Sequence, residues 1–289
     1  MTTPVTIRSE ALTAQVAPLG AELLSLTDSA GRELMTDADP AFWTGHAPLL
    51  FPIVGRLAGD GLRVDGCDYV MKQHGFARRL PWQMVGGGAS AVTFRLRDTA
   101  VTRGVYPFAF DLAVRYALHE ATLSIAVRVS NTGAAPLPMS FGFHPAFAWP
   151  LPFGAPREDH RIVFATEEPG PLAQLTDGLI AGERPSPLVG RTLALTEDVF
   201  ARDALVWRSV ASQSVRYGAA TGPQLLIEFP DTPHLGIWSK PGARFVCIEP
   251  WHGHADPAGF AGDFRDKPGI VTIAPDDDWR CRMDVTLEA

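Results

Sequence analysis

Three stretches of the 289-residue chain concentrate side chains able to move protons or to hold a polar ligand. In "FVCIEPWHGHAD" (245–256), Phe245, Cys247 and Glu249 fall on one face of what reads as a strand, and Val246 and Ile248 fall on the other. A strand apolar on both faces lies inside the protein, where an unpaired carboxylate is costly or takes up a proton. Glu249 is therefore either the buried partner of an arginine or a base whose pKa is lifted by its apolar flanks. In "SFGFHPAFAWP" (140–150), His144 stands among Phe141, Phe143, Phe147 and Trp149, with Pro145 stopping a regular central strand. It is either packed among rings with its nitrogens bonded to backbone, or set at the mouth of a ring-walled cleft suited to the C–H faces of a sugar. In "QHGFARR" (73–79), Gly75 lets the chain turn and brings Gln73, His74, Arg78 and Arg79 together. Forked donors and acceptors at that density suit a hydroxyl-rich ligand, although a solvated loop has the same composition.

Other patterns carry less. His252, His254 and Asp256 alternate, and two imidazoles with a carboxylate can hold a transition metal. Gly253 and Pro257 indicate a loop there, and short His-x-His pairs are common by chance, so no metal is expected. The chain has no G-x-G-x-x-G, no phosphate-binding P-loop and no G-x-S-x-G. "GDGLRVDG" (59–66) has the composition of a calcium loop without its spacing or closing glutamate. Cys247 reads as a core residue.

The elements that must position these groups are short strands. "FDLAVRYAL" and "TLSIAVRV" alternate with period two on either side of "HEA", which is a hairpin signal. "TFRLR", "QLLIEF", "HLGIW", "RFVCIE" and "CRMDVTLE" read the same way, while "DPAFW" and "DPAGFAGDF" are at most short helical turns. The 27 glycines and 25 prolines are spread along the chain rather than gathered in a linker, and no fixed-period repeat is present. These features predict an all-β fold: one large antiparallel β-sandwich domain over residues 1–289. The net charge of −7 argues against a nucleic-acid partner. No apolar run approaches the roughly 18 residues that cross a bilayer, so no membrane partner is expected. The first twenty residues lack the basic start and apolar core of a signal peptide, and three well-separated cysteines do not form a disulfide scaffold. A soluble, cytoplasmic protein acting on a small molecule, as a monomer or homodimer, is the expectation.

Taken together, the blocks "PLLFPIVGRL" (48–57), "QHGFAR" (73–78), "FGFHPAF" (141–147) and "FVCIEPWHGHAD" (245–256), with "DALVW" (203–207), resemble the aldose 1-epimerase (mutarotase) family in order and spacing. The likeness includes the hexose-6-phosphate 1-epimerase branch and runs over nearly the whole chain. It implies a large antiparallel sandwich that interconverts the α and β anomers of an aldose without a cofactor. By the same resemblance, Glu249 is the general base on the anomeric hydroxyl and His144 the general acid on the ring oxygen, on opposite sides of the sugar in a pocket about one pyranose wide. Gln73, His74, Arg78, Asp203 and Arg56 match substrate-binding positions. Two departures bear on the substrate. Gly59 and Asp60 stand where galactose-type members carry Asn-Arg, which leaves Arg56 or Arg78 to supply the guanidinium. "TGHAP" lacks the arginine that precedes the proline block in the phosphate branch, so an unphosphorylated sugar is favoured. Hexose-6-phosphate epimerisation and a non-catalytic carbohydrate-binding module are the alternatives.

Overall fold

The computed structural model describes residues 3–168 and 170–289. Period-two patterning becomes two long strands, Phe110–His119 and Thr122–Asn131, paired in register from Thr122–His119 to Asn131–Phe110. Their alternate residues, Leu112, Val114 and Tyr116 on one and Leu123, Ile125, Val127 and Val129 on the other, are buried. Around this hairpin grows a nine-stranded sheet. Its order is Thr192–Ala194, Arg161–Phe164, Ser214–Gly218, Gln224–Glu228, Asp278–Glu288, the two hairpin strands in reverse chain order, Ala91–Arg97 and Gln83–Gly87.

The second large sheet, of eight strands, runs Leu179–Arg184, Leu172–Thr176, Leu205–Trp207, His234–Trp238, Phe245–His252, Phe141–Phe143 and Leu49–Leu50, with Ala146–Ala148 also pairing Phe245–His252. Both sheets are built from antiparallel pairs. Residues of both sheets share one apolar cluster, and Phe164 against Trp207 (centroids 5.2 Å apart) and the Tyr217 hydroxyl donating to Ala148 O (2.6 Å) join them directly. The protein is an all-β sandwich, as the alternation predicts. Among the described residues the helices are short, the one α-helix being Ala100–Arg103, and no helix is long and apolar enough to cross a membrane.

The strand Phe245–His252 decides where the chemistry goes. All eight of its residues are buried. Val246 and Ile248 join the central core between the sheets, whereas Phe245, Cys247 and Trp251 belong to smaller clusters on the opposite face. Glu249 points with the second set. Its strand has a continuous neighbour on one side, His234–Trp238, with Gly236 opposite Glu249. On the other side the neighbour is interrupted: Phe141–Phe143 pairs the C-terminal part, Ala146–Ala148 pairs the N-terminal part, and His144–Pro145 lies between. A proline inside a central strand costs a ladder hydrogen bond. Pro250 escapes that cost because it faces this interruption.

Candidate active site

The interruption releases His144 from the ladder and turns its ring toward Glu249. His144 Nε2 lies 3.1 Å from Glu249 Oε2. The contact is short but not aligned as a hydrogen bond, and Oε2 is a buried oxygen without a hydrogen-bond partner among the described residues, as is His144 Nδ1 among nitrogens. Glu249 has 1% of its surface exposed and His144 7%. Both line a cavity of about 340 Å³ on the face of the eight-stranded sheet away from the core.

The "QHGFAR" loop reaches the same cavity because it is docked on the "LLFP" segment. The Phe76 and Ala77 N–H groups both donate to Phe51 O, at 3.0 and 3.2 Å. Gly75 adopts φ +70°, and a Cβ there would meet Phe51 O at 2.1 Å, so only glycine permits this approach. His74 is fixed twice to Gly55: its N–H donates to Gly55 O (2.9 Å), and its Nδ1 accepts the Gly55 N–H (3.2 Å). That leaves Nε2 to carry the imidazole proton. Arg78 donates through Nη2 to Gln73 O (3.0 Å), and its Nε is buried without a partner among the described residues. Gln73, His74, Arg78 and Asp203 all line the cavity, Asp203 at φ +72° with Oδ1 accepting the Ala204 N–H at 2.7 Å.

Burial at the cavity favours the uncharged forms of Glu249, His144 and His74. Burial holds the Glu249 carboxyl well above the ordinary carboxylate range, and the negative charge of Asp203 adds to the effect. Burial, with the Arg78 guanidinium adding to it, pushes the His144 imidazole down to about 3. His74 is held well below its usual value, chiefly by burial. Burial also lowers Arg78, to about 10, leaving it a cation at neutral pH.

Three expectations need correction. Arg56 does not line the cavity: its Nε is held by Asp60 Oδ1 (2.9 Å) and its Nη1 by Asp177 O (3.1 Å). Asp60 stands i+4 to Arg56 and takes its guanidinium. The rings near His144 in sequence are not the rings of the cavity. Phe141, Phe143, Phe147 and Trp149 are core, while Trp43, Trp238 and Trp251 form the wall, Trp43 stacking on His144 at 5.0 Å between centroids. His144 and Glu249 are also side by side on one wall rather than across a sugar's width. Trp43 and Trp238 carried no signal as isolated sequence positions, and His254 was weighed only as a metal ligand; Trp251 and Cys247 share Glu249's face at period two and could have been read from it.

His252, His254 and Asp256 do not converge. His252 packs edge-on against Trp279 (4.7 Å), His254 lines the cavity with Nδ1 donating to Ala255 O (2.8 Å), and Asp256 turns to the Ala58 N–H (2.9 Å) and Lys267 Nζ (3.4 Å). The three metal-capable side chains that do lie together among the described residues are His144, Cys247 and Glu249, with ligand atoms within 4.8 Å of one another.

A sequence profile of the family described as aldose 1-epimerase matches residues 4–266. The chain belongs to the aldose 1-epimerase family. Within that family it is 30% identical over 295 aligned residues to the chromosomal LacX protein of Lactococcus lactis, covering 98% of this chain and 99% of LacX. Among solved structures, a galactose mutarotase related enzyme from Lactobacillus acidophilus superposes with a TM-score of 0.92 at 30% identity, over 99% of this chain and 98% of that one. A galactose mutarotase-like protein from Lactobacillus casei gives 0.90 at 30% identity, over 99% and 100%.

Proposed function

We propose that this family member interconverts the α and β anomers of an unphosphorylated aldose, with Glu249 taking the proton of the anomeric hydroxyl and His144 protonating the ring oxygen. The observation that carries the reading is the 3.1 Å contact between His144 Nε2 and Glu249 Oε2 at the wall of the cavity. The anomeric hydroxyl and the ring oxygen are bonded to one carbon. An acid and a base serving both must be neighbours, which the cross-sugar arrangement would not allow.

The pair needs one proton in total. Ring opening starts with Glu249 ionised and His144 protonated; the hydroxyl proton passes to Glu249, the His144 proton passes to the ring oxygen, and the C1–O5 bond breaks to give the aldehyde. The pair is then uncharged. Rotation about C1–C2 presents the other carbonyl face, and closure reverses both transfers and restores the ionised pair. Burial favours the uncharged arrangement, so it stabilises the open-chain state, and the direct contact lets the single proton move between the two groups before the next sugar reacts. His74 Nε2–H, Arg78, Gln73 and Asp203 are available to the sugar hydroxyls, and the tryptophan faces to its C–H surface. Arg78 is the one permanently cationic side chain lining the cavity among the described residues, and the Asp203 carboxyl shares that lining, which suits a neutral sugar better than a phosphate dianion.

Polarimetry or NMR on freshly dissolved α-anomers of hexoses, pentoses and hexose 6-phosphates tests this. The expected result is anomerisation faster than buffer for a neutral aldose and its loss in Glu249→Gln. No acceleration for any of these sugars, or full activity in Glu249→Gln, refutes the reading; a 6-phosphate preferred over its parent sugar refutes the unphosphorylated part.

A further inference from the structure

The proposed mechanism requires an ionised Glu249 that its burial opposes, and the strand supplies one more group on the same face. Trp251 lies flat across the sheet on two glycines. A Cβ on Gly142, its cross-strand partner, would stand 2.5 Å from the indole Cδ1, and a Cβ on Gly236 would stand 2.4 Å from Cη2 and 2.5 Å from Cζ2. Gly236 is the cross-strand partner of Glu249 on the other side. The indole edge running from Cδ1 through Nε1 to Cζ2 therefore crosses the strand at the level of Glu249, and Nε1 is on that edge. Among the described residues, Nε1 is a buried donor with no geometrically aligned partner, and Glu249 Oε2 is a buried acceptor with none. Two complementary orphans two residues apart on one face of one strand have each other as the nearest remedy.

We propose that Trp251 is a positioning residue whose indole N–H supports the ionised form of Glu249 and so sets the fraction of the His144–Glu249 pair in its reactive, charge-separated arrangement; this rests on the acid–base reading above. The other groups facing Glu249 are His144 from the interruption between the flanking strands, Asp203 from the loop before Leu205–Trp207, and Cys247 from its own strand. His234–Trp238 presents only Gly236 at the matching position, and His74 and Arg78 face His144. Asp203 and Cys247 bring no positive charge, so the indole N–H is the donor that offsets burial alongside the His144 proton. A neutral donor to a carboxylate shifts its ionisation by roughly one pH unit, about tenfold in population.

Trp251→Phe keeps an aromatic ring on this face of the sheet and removes the N–H together with one ring of the indole. The expected result is a plateau kcat about tenfold lower, an alkaline limb of kcat/KM about one pH unit higher, and kcat values that converge with the unmutated protein above both limbs. Convergence follows because the N–H supports the reactive and the fully deprotonated pair equally. A superimposable pH profile, or a raised KM with the limbs unmoved, overturns the proposal. A measurement without sugar separates this from failure of the epimerase reading: the Glu249 carboxyl carbon, followed by NMR, titrates about one unit higher in Trp251→Phe. In the unmutated protein the Trp251 indole N–H signal moves downfield as Glu249 ionises, and that movement is absent in Glu249→Gln. An indole signal that stays still while the Glu249 carbon titrates overturns the proposal even where the variant does not fold.

Discussion

Replacing Lys267 by methionine tests the scaffold behind the cavity. The Lys267 side chain has no exposed surface; its Nζ donates to His254 O and lies 3.4 Å from Asp256 Oδ1. Asp256 in turn ties down two segments with three bonds: Oδ2 accepts the Ala58 N–H (2.9 Å), its own N–H donates to Arg56 O (2.9 Å), and its carbonyl accepts the Ile180 N–H (2.9 Å). Methionine fills the space and leaves Asp256, 2% exposed, without its cation. Burial already raises the Asp256 carboxyl, and Lys267 and the Ala58 N–H are what hold it down. With the lysine gone, Asp256 takes up a proton on folding, which at about pH 7 costs roughly three pKa units at about 1.4 kcal/mol each, or about 4 kcal/mol. That agrees with the roughly 3–5 kcal/mol typical of breaking a buried pair. The sign fixes the pH dependence. A folded pKa above the unfolded one is harmless below the unfolded value and costs stability as pH rises past it, so the penalty shrinks to about 1–2 kcal/mol near pH 4.5. Urea denaturation of Lys267→Met at both pH values, with Lys267→Met/Asp256→Asn expected to recover most of the loss, is the assay. A loss under about 1 kcal/mol near pH 7, or one that does not shrink on acidification, refutes the reasoning.

Glu249→Gln and His144→Asn should each lower kcat by roughly 10²–10⁴-fold with modest changes in KM, the range of a lost general acid or base, read by polarimetry. Arg78→Ala should raise KM about tenfold or more, because a half-buried guanidinium in the cavity lining is lost, whereas Arg56→Ala should stay within about twofold, since Arg56 binds Asp60 and Asp177 instead. Gly142→Ala pushes a Cβ into Trp251 and Val54 and should cost about 1–3 kcal/mol by denaturation, with a shifted tryptophan emission.

Strand placement was legible wherever a strand had one wet and one dry face, as in Phe110–His119 and Thr122–Asn131, because period-two alternation records that asymmetry. The strand Phe245–His252 was legible for the opposite reason: an acid in a run dry on both faces stands out. Pro145 marked the interruption that frees His144. What the sequence withheld was which chain-distant side chains close the cavity. Trp43 and Trp238 reach it from a loop and a neighbouring strand, and nothing in their local pattern distinguishes a wall ring from a core ring. The aromatic residues flanking His144 misled for that reason: strand geometry sends them into the core. Arg56 was misplaced because a motif match cannot register an aspartate four positions on that captures the guanidinium.

The side chains proposed to move protons hang from the middle of a packed sheet, whereas Gln73, His74, Arg78 and Asp203 come from segments tethered at its margins. Selection can therefore retune which sugar is accepted by editing tethers, leaving the reactive core untouched. The same division predicts that transplanting those loops between relatives carries substrate preference with them.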